Sequence, residues 1–243
     1  MAWPLVLLLH PAIAAAGTPE EARTLLEKAA ERHYGLRQYV VEVRASAVSG
    51  GRLQPSERVR IVADEEARAF HIRFTGGPRS EAVCDGERLW ARGERGVTDR
   101  PAEGPELRSW QRVIGMHTGR FALLGRSALD AGWVKREELK RGARRIRCGV
   151  VRIRPEDPAQ GNWTEMLWIE PESGLIWRSV YIESSAATGM GPVLGPGGRE
   201  GGPRVQPMFT QDLVRTHDYD WISAGEPPPA GAFARPAWAD RAK

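Results

Sequence analysis

The 243-residue chain has only two cysteines, Cys84 and Cys148, and no C-x-x-C pair. That spacing argues against a structural zinc site. Two readings stay open for the pair: a disulfide, if the compartment is oxidising, or two small buried core residues. The five histidines, at positions 10, 33, 71, 117 and 217, are dispersed. The chain has no G-x-S-x-G nucleophile elbow and no H-E-x-x-H zinc motif. Gly189-Met190-Gly191 and the glycines after it lack the Lys-Ser/Thr and the helix of a phosphate loop. In His217-Asp218-Tyr219-Asp220, strand parity turns His217 and Tyr219 one way and the two aspartates the other, which is a poor metal site. The sequence therefore names no catalytic residue, no cofactor and no metal ligand, and the expectation is a protein that is not an enzyme. The net charge of +4 is scattered among acidic residues, so no basic block suggests nucleic acid. No apolar stretch reaches the ~18 residues that would span a bilayer, so the mature chain is expected to be soluble.

What is present begins at the N-terminus. Trp3 to Leu9 is apolar and Ala14-Ala15-Ala16 precedes Gly17, which reads as a secretory signal cut after Ala16, although no Lys or Arg precedes the run. This predicts a signal peptide over residues 1–16 and a periplasmic destination. Thr18-Pro19-Glu20-Glu21 then opens a helix with a capping box. Ala22, Leu25, Leu26, Ala29 and Tyr34 follow its apolar face, and Gly35 ends it.

From Gln38 the period changes to two. Tyr39, Val41 and Val43 alternate with polar residues, as do Val59 and Ile61, and then Phe70, Ile72 and Phe74. Asp85-Gly86 marks a hairpin. Residues 105–124 return to helical spacing through Leu107, Trp110, Ile114, His117, Phe121 and Leu124, with His117 expected as a core histidine. Two further hairpins follow, the second (residues 163–183) rich in rings. Its Leu167, Ile169, Leu175, Trp177 and Tyr181 share a face by parity, while Trp168, like Trp90 earlier, points the other way, toward solvent or a sheet edge. Residues 186–204 are rich in Gly and Pro and read as a mobile loop, residues 209–221 as a last strand, and residues 223–243 as a Pro-rich tail.

The fold class is α+β: about ten strands in a curled antiparallel sheet, an unclosed half-barrel, with two helices covering its concave face. Residues 17–222 form that single domain. Its candidate ligand lining is the inner-facing set Tyr39, Val41, Val43, Val59, Ile61, Phe70, Ile72, Phe74, Trp110, Ile114, Phe121, Leu167, Ile169, Leu175, Trp177 and Tyr181. Rings and branched aliphatics suit alkyl chains, and the same residues suit a filled core. Periodicity does not choose between the two.

The order of the motifs adds to this. Val83-Cys84-Asp85-Gly86-Glu87-Arg88-Leu89-Trp90 comes first, then the Cys-bearing stretch Arg147-Cys148-Gly149-Val150-Val151, then the step from Leu167 to Arg178, L-W-I-E-P-E-S-G-L-I-W-R. With the early helix and the helical insertion, this order resembles the periplasmic outer-membrane lipoprotein carrier superfamily, the LolA-like proteins. The resemblance covers residues 18–222 and implies a hollow interior that receives lipid or lipoprotein acyl chains. It also implies envelope transport or signalling proteins as partners. Members act as carriers or, alternatively, as envelope-stress sensors that bind a protein through the same sheet. The Gly/Pro-rich loop departs from the pattern, and the basic contact residue of the family's carriers has no counterpart by motif.

Overall fold

The computed structural model describes residues 17–75, 80–94, 96–119, 129–157, 162–187 and 208–241. The expected signal segment, Phe121 and nearly all of the Gly/Pro-rich loop lie outside them.

The chain opens with helix α1 (Pro19–Gly35). Strands β1 (Gln38–Ser49), β2 (Arg52–Leu53), β3 (Glu57–Asp64), β4 (Ala69–Thr75), β5 (Glu81–Cys84), β6 (Arg88–Gly93) and β7 (Gly96–Pro101) follow. Helix α2 (Gly104–His117) then leads to β8 (Leu129–Arg141), β9 (Arg144–Pro155), β10 (Trp163–Ile169), β11 (Ile176–Ala187) and β12 (Met208–Ala224). A 3-10 helix, Ala237–Arg241, closes the described chain. All twelve strands form one sheet in the order β7-β6-β5-β4-β3-β1-β12-β11-β10-β9-β8, with β2 paired to β1 off this path. β7 and β8 are its two ends and do not pair with each other, so the sheet is an unclosed half-barrel. The first and last strands of the domain meet in its middle, Val43 opposite Tyr219. Two more strands form than the alternation suggested, because β2 and β7 are too short or too polar to show it.

The inner face carries both helices. α1 forms as its sequence dictates: Thr18 Oγ1 accepts the Glu21 N–H at 3.1 Å and Glu21 Oε2 accepts the Thr18 N–H at 2.6 Å. It buries Ala22, Leu25, Leu26, Ala29, Ala30 and His33. A Cβ on Gly149 would come 2.6 Å from Leu25 Cδ2 and 2.8 Å from the Trp133 ring, so only glycine lets the helix sit this low over β9. Gly174, at φ +73°, is similarly held in the β10–β11 turn, 3.0 Å from the Lys28 carbonyl measured to an added Cβ. His33 is fully buried and ties three elements together. Its Nε2 accepts the Ile176 N–H at 3.1 Å, which leaves Nδ1 as the donor to the Thr118 carbonyl at 3.1 Å.

α2 is shorter than the apolar period suggested. The described helix stops at His117, where Thr118 and Gly119 (φ +72°) break the helical backbone. Only Ile114 on it is buried.

The outer face is not bare. The Pro-rich tail folds back: the Gly225 N–H donates to the Gln38 carbonyl at 2.8 Å, and Ala239 and Trp238 pack on Val83 and Trp90. Trp90 is therefore buried at 3% exposure. Trp168 is buried too, with the Arg178 guanidinium 5.7 Å from its ring centroid. Neither indole is a free contact surface. Both cysteines are free and buried, on β5 and β9 with six strands between them in the sheet, so the disulfide is not formed. Burial pushes the Cys148 thiol up to about 12 and also raises Cys84, which leaves both unreactive.

Candidate functional site

The inner lining expected from parity is mostly core. Tyr39, Val41, Val43, Val59, Ile61, Phe70, Ile72, Ile114, Leu167, Ile169, Leu175 and Trp177 are buried against one another and the helices. Phe74 and Trp110 are half-buried on the same cluster. A bulge between Trp168 and Ile169 sets Ile176, not Trp177, opposite Ile169. The Trp177 indole donates to Glu170 Oε2 at 3.3 Å, and the Arg144 guanidinium lies 5.4 Å from its ring centroid. The trough is thus filled where the large side chains stand.

It opens farther along the same strands. On β1 the inner residues change from Tyr39, Val41 and Val43 to Ala45 and Ala47. On β12 they change from Trp221 through Tyr219 to His217 and Arg215, three rings stacked in succession at 6.4 and 6.2 Å between centroids. β10 passes from Leu167 to Glu165, and β11 from Ile176 to Ser179 and Tyr181. Small and polar side chains replace large apolar ones on four adjacent strands at the same level. They leave a pocket of about 550 Å³, roofed by Met116, His117 and Gly119 at the end of α2 and flanked by Trp163 and Tyr181. Those two rings stack at 5.9 Å. Among the expected lining residues that the structure describes, Tyr181 alone borders this pocket.

The floor is a polar island in apolar surroundings. The Glu165 side chain is almost wholly buried, and burial raises its carboxyl to about 7 against a hydrogen bond with Ser179 that lowers it. Ser179 Oγ in turn lies 3.3 Å from the Tyr219 hydroxyl, whose ionisation burial pushes far above the ordinary range. Above them, the His117 ring meets Phe74 and His217 edge-on at 5.6 and 5.7 Å. His117 Nδ1 is buried without a hydrogen-bond partner among the described residues. Burial, with help from the neighbouring His217, lowers the His117 pKa to about 4, and His217 is lowered as well. At neutral pH the site therefore presents two neutral imidazoles, a neutral phenol and a carboxyl near its midpoint, with Arg215 and Glu183 at the rim. Sequence analysis did not single out Glu165. The signal available was its parity with Leu167 and Ile169.

No group of three His, Cys, Asp or Glu side chains among the described residues is placed to hold a metal ion. A larger hollow of about 1170 Å³ lies between the start of α1 and β8–β10. It is lined largely by charged side chains, several of them paired, such as Lys135–Glu137 and Arg145–Glu138. No described helix is long and apolar enough to cross a membrane.

No protein-family model matches the chain, and no curated protein matches it. Solved structures do. The MucA/MucB complex of Pseudomonas aeruginosa is similar over 89% of this chain and 62% of that one, at 15% identity and a TM-score of 0.47. This chain thus spans less than two thirds of that relative. LprF from Mycobacterium bovis is similar over 88% of this chain and 99% of that one, at 14% identity and a TM-score of 0.43. A LolA superfamily protein from Nitrosomonas europaea is similar over 90% and 99%, at 13% identity and a TM-score of 0.33. The LolA name that the motifs suggested is also the printed family name of the Nitrosomonas europaea protein.

Proposed function

We propose that this chain is an exported, non-enzymatic binding protein that takes the end of an apolar ligand, a lipid or lipoprotein acyl chain, into the pocket beneath the end of α2. The observation that carries the reading is the change on four neighbouring strands from large apolar side chains to small or polar ones: Ala45 and Ala47 on β1, His217 on β12, Ser179 on β11 and Glu165 on β10. It leaves about 550 Å³ open beneath the end of α2. That volume lies within the ~300–1,000 Å³ usual for small-molecule sites. Each CH₂ group moved from water onto Trp163, Tyr181, Tyr219 and Met116 contributes about 0.8 kcal/mol. The buried, readily protonated Glu165 offers one hydrogen-bonding group to a polar end without a fixed charge. α2, anchored by one buried side chain, is the element that moves to admit and release the ligand.

Displacement of a fluorescent fatty acid from the full chain tests this. Saturable uptake is expected, with a loss of at least tenfold in Ser179→Trp, which fills the floor. A scaffold that grips only a protein partner through the sheet gives no saturable uptake, and that result rejects the proposal.

A further inference from the structure

The outer face of the sheet carries a second groove, of about 440 Å³, unrelated to the inner pocket. Its base is the outward side of β1, β3 and β4. Its wall is the tip of the β8–β9 hairpin, with Lys140 and Arg141. The tip is tied down: Arg141 donates to the Trp177 carbonyl at 3.0 Å and to Asp218 Oδ1 at 2.6 Å. The groove is therefore a fixed feature and not two loose surfaces.

The register across its base is unusual. Arg44 stands directly opposite Arg58, and Arg60 directly opposite Arg73. Like charges facing across a sheet destabilise it, since their Cβ atoms lie only ~4.5–5.5 Å apart. The nearby carboxylates relieve this only in part, at Arg60. Glu42 is engaged by Arg60, Asp218 by both Arg141 and Arg178, and Glu81 by His71 and Arg92. Asp220 is the remaining acid on the groove. Arg44, Arg58, Arg73 and Lys140 face it with no ion pair to any described residue.

We propose that this groove binds an oligoanion bearing two phosphate-class groups. Guanidinium forks match tetrahedral anions in a bidentate manner. A phosphate monoester carries about 1.5 to two negative charges on one compact group, so two of them suffice to balance the four unpaired cations less Asp220 within this volume. An acidic peptide would need about four side chains in the same space. The bound ligand relieves the facing arginine pairs that the empty fold tolerates.

Calorimetric titration of the full chain with inorganic pyrophosphate, and flotation with phosphatidylglycerol against phosphatidylcholine vesicles, test the site. Arg58→Gln removes one member of a facing pair, so it leaves the fold as stable or more stable, and it weakens binding about tenfold. Arg23→Gln, on the exposed side of α1, changes net charge equally and leaves binding unchanged. Pyrophosphate binding lost in Arg58→Gln supports the site with a free phosphorylated ligand. Binding to anionic vesicles only, lost in the same variant, supports it with a lipid headgroup. Polyglutamate binding without either phosphate probe, no binding at all, full retention in Arg58→Gln, or an equal loss in Arg23→Gln overturns it.

Discussion

The two helices lie on the same face of the same sheet, yet they are held very differently. α1 buries residues along its whole length, is capped by its own sequence, and is tied by His33 to β11 and to the end of α2. Arg32 adds a hydrogen bond to the Ala224 carbonyl at 2.6 Å, and Lys28 reaches the Pro171 carbonyl. α2 has no side-chain cap, buries only Ile114, and leaves Met116 46% exposed. The sheet beneath the middle and end of α1 is filled, the hollow at its start is lined largely by charged side chains, and the less charged pocket lies beneath the end of α2. One helix completes the core and the other covers a vacancy, so the two should differ in what their loss does.

The largest contrast is in stability. Leu26→Ala removes a side chain that is 3% exposed from beneath α1 and is expected to cost about 3 kcal/mol. Ile114→Ala sits where neighbours can collapse into the space and is expected to cost about half as much. Urea denaturation of both variants measures this directly, and equal losses would dissolve the distinction between the helices.

The second test concerns Glu165. Its folded pKa of about 7 lies above the ordinary glutamate value of 4.5. A raised acid contributes most stability below pH 4.5 and loses it as pH rises toward 7, because the folded state then holds a proton that the unfolded state has released. Glu165→Gln removes the buried ionisation. It is expected to stabilise the protein by up to about 3 kcal/mol at pH 8 and to change little at pH 4. His117 acts with the opposite sign. Its pKa is lowered from 6.5 to about 4, so its contribution is intact above pH 6.5 and is lost as acid protonates it. Thermal melts of Glu165→Gln and His117→Asn from pH 4 to 8 should therefore diverge from the parent at opposite ends of the range. Parallel curves would show that these groups are solvated and that the roof over the pocket is already open.

These sites also mark where the sequence was readable. The capping box at Thr18, the alternation of β1, β3 and β4, and the half-barrel class were legible because each depends on local spacing. The position of Trp177 was not, because one bulge between Trp168 and Ile169 resets the parity of the strand that follows. The pocket was not legible either. It is defined by what is small, Ala45, Ala47 and Ser179, and small residues carry no hydrophobic signal. The burial of Trp90 depended on a tail whose prolines suggested only that it would form no helix or strand of length.

Dynamics give a smaller effect on the same comparison. Amides of α2 from Leu107 to Gly115 are expected to exchange at least tenfold faster than those of α1 from Leu25 to Arg32, since fewer buried contacts resist local opening. Addition of a fatty acid should slow α2 and leave α1 unchanged. Slowing of both together would mean that the ligand stabilises the whole domain and not its lid.

The smallest expected effect lies on the opposite face, away from both helices. Trp238 is half-buried against Val83 and Trp90, with the Arg92 guanidinium 5.0 Å from its ring centroid. Stacking of this kind at a partly exposed site is worth about 0.5–1 kcal/mol, and the area that Trp238 covers adds a comparable amount. Trp238→Ala is expected to lower stability by about 1–2 kcal/mol and to shift the fluorescence of Trp90 to the red as water reaches it. Fatty-acid uptake should not change, because the tail lies on the outer side of β5 and β6 and the pocket on the inner side of β10–β12. A loss of uptake in this variant would mean that the two faces of the sheet are coupled through its curvature, and the difference between α1 and α2 would then be a property of the whole half-barrel and not of what each helix buries.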